Sequence, residues 1–221
     1  VVLTALLVYG TLVGRTITAQ AEAPLRIEVT GHQWWWEVHY PAQDGLPAFT
    51  TANELRLPVG RQVEFAIRSA DVVHSFWIPN LGGKVDMIPG RTNVLRLEAA
   101  RPGRFRGQCS EFCGAQHARM GFIAIATDAG EFEQWRRQRA QPVQRADGER
   151  ERFDALGCGG CHDLAGRSAA GGVGPALDHL CQTGNDDLGP VVSAHCVDGY
   201  AYQAVISLFI PRGIAAKFSR K

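Results

Sequence analysis

Between residues 109 and 120 the chain places Cys109, Cys113, His117 and Met120 in the segment CSEFCGAQHARM, four soft metal donors within twelve residues. Two thiols, an imidazole and a thioether suit copper better than magnesium or calcium, and the thioether argues against an ordinary structural zinc site. Spacings of four, four and three would fit one helix face. The Pro/Gly-rich lead-in ARPGRFRGQ and the strand-like segments on both sides favour a loop between strands instead. A loop can wrap around an ion, whereas a helix presents only a stripe. His74, in DVVHSFWIP at the end of an expected strand, is the best candidate to complete a side-chain set, provided the fold brings strand ends together. The competing readings are a buried histidine satisfied by backbone at His74, and a disulfide at the Cys pair, which leaves His117 and Met120 unexplained.

The flanking sequence is a series of short alternating segments: LRIEVTG, WWWEVHY, ELRLPVG, RQVEFAIRSA, TNVLRLEAA, RFRGQC and MGFIAIAT. Their period of two and the Gly/Pro punctuation predict an antiparallel sandwich or barrel from about Pro24 to Asp128. GEFEQWRRQRAQ then reads as a helix with Phe132 and Trp135 on one face, and AQPVQRADG as a linker. Three successive tryptophans cannot all point inward from a strand, so Trp35 is expected opposite Trp34 and Trp36. With 221 residues and 45% hydrophobic content, the chain suits one ordinary domain or two small ones, not a single large catalytic core. A formal net charge of +1 gives no long-range reason to expect nucleic acid.

The opening run VVLTALLVYGTLVG carries no charge before Arg15. As a helix it would span ~21 Å at ~1.5 Å per residue, against a hydrocarbon core of ~30 Å. Apolar residues occupy every face, which favours the C-terminal part of a transmembrane helix over a buried helix of a soluble domain.

A different vocabulary begins near Glu149. ERFDALGCGGCHDL reads as an amphipathic helix, with Phe153 and Leu156 inward, turning into a loop that bears Cys158, Cys161 and His162. This CxxCH pattern points to covalent haem attachment, with the adjacent His162 placed to ligate iron; a thioredoxin-like CxxC would want a preceding βαβ pattern.

Together, His74, Cys109, Glu111, Cys113, His117 and Met120 resemble the binuclear copper (CuA-type) centre of subunit II of haem-copper cytochrome c oxidases, over approximately residues 1–137. The resemblance implies two copper ions bridged by Cys109 and Cys113, with His74 and His117 each on one ion, Met120 as a weak ligand and Glu111 supplying its backbone carbonyl. It also implies a magnesium held by the Glu111 carboxylate at the contact with the catalytic subunit. GHQWWWEVHYP resembles the aromatic segment of that family in which Trp34 is the place where electrons enter from cytochrome c. Asp71 and Asp86 are candidate subunit-interface or docking carboxylates, or solvated turn residues. GGVGPAL, residues 171–177, resembles the loop of class I cytochromes c that supports the proximal histidine.

The expected architecture is therefore mainly β: a cupredoxin-like Greek-key sandwich, preceded by a partial transmembrane helix and followed by a small α-helical cytochrome c-like domain. The divisions are 1–22 for the helix and connector, 23–137 for the copper domain, 138–148 for a linker and 149–221 for the haem domain with an atypical tail. Such a caa3-like subunit would pass electrons from cytochrome c, or its own haem c, to subunit I, with subunit III as a further partner. Its metal domains would lie on the periplasmic or extracellular side of the cell membrane. The distal haem ligand is open: Met87 and Met120 both precede the haem motif, leaving His179, His195, Cys196 or an empty position. Alternatives for the copper cluster are a copper-delivery module and the related domain of nitrous oxide reductase-like systems.

Overall fold

A computed structural model describes residues 1–18, 23–141, 149–160, 162 and 174–175. Among the described residues, ten strands form two five-stranded sheets. One sheet has the order β3 (Phe49–Ala52), β2 (Trp35–Tyr40), β1 (Leu25–His32), β5 (Val63–Ser69), β8 (Asn93–Leu97). The other runs β4 (Glu54–Pro58), β10 (Gly121–Thr127), β9 (Gly103–Cys109), β6 (His74–Trp77), β7 (Val85–Met87).

Alternation selects the core. Leu25, Ile27 and Val29 of β1, Trp36, Val38 and Tyr40 of β2, and Val63, Phe65 and Ile67 of β5 are buried, as are Leu55, Leu57, Phe76, Phe105, Phe122 and Ala124 from the second sheet. Each large apolar side chain so removed from water contributes roughly 1.5–3 kcal/mol. Trp36 sits edge-on to both Phe76 (5.6 Å) and Phe122 (5.4 Å), which stack on each other at 5.0 Å.

The sandwich is mixed rather than antiparallel, since β1 runs parallel to β5 and β4 parallel to β10. Periodicity marks a strand and its buried face but not its neighbour, and the cause here is a change of sheet. At Asn53 the chain leaves the edge strand β3 and within one residue becomes β4 of the other sheet. Asn53 takes a positive φ of 57° there, and its side chain accepts from the Trp36 N–H at 2.9 Å. The short strands β3 and β7 carry too few residues to show alternation.

The tryptophan run also differs from expectation. Trp34 belongs to the two-residue turn between β1 and β2, so strand alternation governs only its neighbours. Trp36 is buried, while Trp35 lies on the outer face with its ring stacked 4.4 Å from that of His32.

The expected helix forms as α2 (Ala129–Arg139), burying Phe132 and Trp135 as the spacing predicts. It reaches past the boundary placed at residue 137, because Arg139 donates to the buried Glu54 carboxylate at 3.2 Å. Glu54 also accepts from Arg56 at 2.9 Å, and Arg56 lies over the Trp135 ring. Beneath α2, Arg136 binds Asp44 and Glu133, each at 3.0 Å.

The apolar N-terminal run is α1 (Val2–Thr18), with residues 1–16 exposed. No described helix is long and apolar enough to cross a membrane. Near the other end, α3 (Glu149–Ala155) buries Phe153 but not Leu156, which is 46% exposed. Leu156 follows the last helical residue, in a turn where Gly157 adopts φ 70°, so the helical register that would turn it inward has ended.

Candidate metal centre

The ladder of the second sheet builds the site. Cys109 closes β9, and its N–H donates to the Met120 carbonyl at 2.9 Å, so both ends of the CSEFCGAQHARM segment are clamped one residue before β10 begins. What lies between is a loop, as expected, with a single 3-10 turn at His117–Arg119. Strand β6 pairs antiparallel to β9 with Phe76 opposite Cys109, and Ser110 N–H donates to the Ser75 carbonyl at 2.9 Å. That register delivers His74, the first residue of β6, to the loop despite a separation of 35 residues.

The donor atoms converge. The Sγ atoms of Cys109 and Cys113 are 3.8 Å apart, with His74 Nδ1 3.8 Å from the first and His117 Nδ1 3.5 Å from the second. Met120 Sδ lies 3.6 Å from Cys113 Sγ, and the Glu111 carbonyl oxygen 3.2 Å from Cys109 Sγ. His74, Cys109, Cys113 and Met120 are buried, whereas His117 is half-buried and Glu111 exposed. Both cysteines are free thiols. Five side-chain donors and a carbonyl exceed what one tetrahedral ion takes, and their softness fits copper.

Electrostatics prepare the pair for a cation. Burial pushes the Cys109 thiol up, but the contacts with His74 and the backbone of Glu111 and Ser75 outweigh it and hold the group down to about 6. Burial, with the neighbouring Cys109 charge, pushes Cys113 up to about 12. Ionising one thiol thus makes the second proton harder to remove, and a bound cation would favour losing both.

Sequence reasoning missed how the ligands are held. Asp71, expected at an interface or in a solvated turn, accepts from His74 Nε2 at 2.7 Å and from the backbone N–H groups of Gln33 and Val72 at 2.6 Å each. Burial raises the Asp71 pKa, but these donors more than reverse it. Burial likewise depresses the His74 pKa, and Cys109 and Asp71 raise it further than burial lowers it. With Nε2 committed to Asp71, Nδ1 is the atom aimed at sulfur. The signal was a carboxylate three residues before a candidate ligand, since ligating histidines commonly donate their second N–H to a carboxylate. Gly31 is a second omission: a Cβ there would come 3.0 Å from the His74 ring. Trp34 is half-buried, and its indole N–H donates to the Cys113 carbonyl at 3.1 Å. Asp86 is exposed on β7, opposite Ser75 of β6.

In the C-terminal region, Cys158 is half-buried and His162 Nδ1 lies 2.9 Å from the Pro175 carbonyl oxygen. A Cβ on Gly174 would come within 2.6 Å of the His162 ring. Cys161, His179, His195 and Cys196 lie outside the described residues.

The family described as cytochrome C oxidase subunit II, periplasmic domain, matches residues 42–127. The crystal structure of the periplasmic domain of subunit II of cytochrome oxidase (CoxB) of Bradyrhizobium japonicum is 35% identical, with a TM-score of 0.50. The match covers 54% of this chain and 95% of that one. The chain belongs to the cytochrome c oxidase subunit II family. Its sandwich is the family's cupredoxin-like fold. Among similar proteins, cytochrome c oxidase subunit 2 of Alkalihalophilus pseudofirmus is 40% identical over 159 residues, which is 70% of this chain and 45% of the relative. Cytochrome c oxidase subunit 2 of Lycodon semicarinatus is 40% identical over 128 residues, 50% of this chain and 56% of the relative. This subunit II chain therefore spans about half the length of the curated relatives it matches.

Proposed function

We propose that the chain is the electron-transfer subunit of a haem-copper terminal oxidase. The observation that carries the reading is the thiol pair at 3.8 Å with an imidazole nitrogen against each sulfur. Cys109 and Cys113 would hold two copper ions between them, with His74, His117, Met120 and the Glu111 carbonyl as the remaining ligands. Copper so bound supplies a one-electron store whose charge is shared between two metals. The protein's task is to keep the ligands fixed, which burial and the Asp71 contact favour.

Electrons would arrive at Trp34, whose indole is hydrogen-bonded to the Cys113 backbone, and leave toward a catalytic subunit I. Val72 and Val73 beside His74, Ile88, and Phe112 between the two cysteines expose 37%, 38%, 40% and 75% of their surface. Apolar side chains exposed around a redox site support docking by cytochrome c, subunit I or subunit III. Exposed Glu111 is free to hold magnesium at such a contact. The apolar surface of α1 supports insertion in lipid, with the sandwich on the periplasmic or extracellular side.

The haem c reading rests on Cys158, Cys161 and His162. Donation from His162 Nδ1 to Pro175 leaves Nε2 as a lone-pair donor, the state a haem ligand needs. This favours a fused cytochrome c domain of caa3 type. Metal and haem content of the full chain tests the whole reading. Two coppers and one covalent haem per chain are expected. A single exchangeable copper would favour copper delivery instead.

A further inference from the structure

The β1–β2 turn carries a set of donors that metal ligation does not itself use. The Gln33 side-chain amide donates to the Cys113 carbonyl at 2.8 Å, and the Trp34 indole donates to the same oxygen at 3.1 Å. The backbone N–H of Gln33 meets Asp71 Oδ2 at 2.6 Å, and the other oxygen of that carboxylate holds His74 Nε2. Gln33 thus reaches both arms of the centre, Cys113 directly and His74 through Asp71. The neighbouring backbone is shaped to admit it. Gly114 has φ +117°, and a Cβ there would stand 3.1 Å from Gln33 Nε2 and 3.2 Å from the Trp34 ring.

We propose that Gln33 is a positioning residue of the metal centre, locking the Trp34 ring and the Cys113 backbone together while the same turn fixes His74. The inference rests on the copper reading above and deepens it. A carbonyl oxygen has two lone pairs and accepts both donors at once. The turn is then tied to the Cys113 carbonyl by two hydrogen bonds instead of one, the Trp34 ring supplying one and the Gln33 amide the other. Loss of the Gln33 amide leaves the Cys113 carbonyl held by the Trp34 indole N–H alone, and the Cys113–Gly114 backbone loses one of its two tethers to the turn whose backbone N–H meets Asp71.

The test uses the full chain with Gln33→Leu, Gln33→Glu, Trp34→Phe and the double variant Gln33→Leu/Trp34→Phe. Loaded with copper, Gln33→Leu should keep two ions but show a shifted visible and near-infrared spectrum. It should also lose copper to a chelator ~10-fold faster, as outer hydrogen-bond partners of metal sites do. Its cost and that of Trp34→Phe should not add, because the two donors share one acceptor. Without metal, amide exchange over the turn and Cys113–Gly114 should quicken about tenfold in Gln33→Leu, an opening cost of ~1.4 kcal/mol. Gln33→Glu, similar in size but unable to donate when ionised, should behave alike and covers the case in which Leu fails to fold. Unchanged spectrum, copper retention and exchange in both variants, or strictly additive costs, would overturn the proposal. A wild-type chain that never takes up two coppers would overturn the copper reading, while the metal-free exchange would still decide the role of Gln33.

Discussion

Asp71 Oδ1 lies 2.7 Å from His74 Nε2, and the pair settles which imidazole nitrogen faces the thiols. Because the same carboxylate also accepts the Gln33 and Val72 N–H groups, it cannot swing away without breaking three hydrogen bonds.

Asp71→Asn should therefore weaken copper retention by roughly 10–100-fold while leaving the sandwich folded, the cost usual for an outer partner of a metal-binding histidine. Competition against a graded series of chelators measures it. Retention equal to wild type would mean that the Phe76–Cys109 register alone fixes His74.

The proposed haem site allows a sharp spectroscopic expectation. Met87 is fully buried in the sandwich core and Met120 faces Cys113, so both methionines of the chain are committed elsewhere. A haem held at Cys158, Cys161 and His162 would lack a Met-to-iron charge-transfer band, and Gly174→Ala would perturb its spectrum by crowding the His162 ring. A Met-type band in the full chain would refute this ligand argument.

Stability should depend on acid through Asp44. Its pKa is lowered: burial raises it, but hydrogen bonds from Arg61 and Arg136 outweigh that. A depressed carboxylate pKa contributes stability above the unfolded value of ~3.9, and that contribution is lost as pH falls through the folded value. The side chain is 42% exposed, so solvent screening keeps the effect small. Melting of wild type and Asp44→Asn in detergent should differ at neutral pH and converge in acid. A gap that does not narrow as the pH is taken down through the acid range would contradict the ion-pair account.

Glu54 makes a larger prediction. It is 96% buried at the side chain, given its 4% exposure, and lies between Arg56 and Arg139. Glu54→Leu removes the carboxylate shared by two buried guanidinium groups and should destabilise the sandwich by ~3–5 kcal/mol. Denaturant unfolding checks it, and a cost under about 1 kcal/mol would show that α2 frees Arg139 to water.

Much of this was legible because it is local. Alternation located the long strands, the Phe132–Trp135 spacing found the inner face of α2, and the soft-donor cluster marked its own loop. His74 was legible from its place at the end of an expected strand and from the family resemblance, since nothing local says that β6 lies beside β9. Relations across the fold escaped. The parallel pairings depend on the sheet change at Asn53, Trp34 left the strand because the chain turns there, and Asp71 looked like any turn carboxylate until β6 brought His74 to the thiols.

The central claim is that Cys109 and Cys113 hold two coppers as one electron carrier. Electron paramagnetic resonance of the copper-loaded, partly oxidised full chain tests it most directly. The account predicts one unpaired electron whose hyperfine pattern is spread over two copper nuclei, and its loss in Cys113→Ser. A pattern from a single copper nucleus, with one ion per chain, would contradict it.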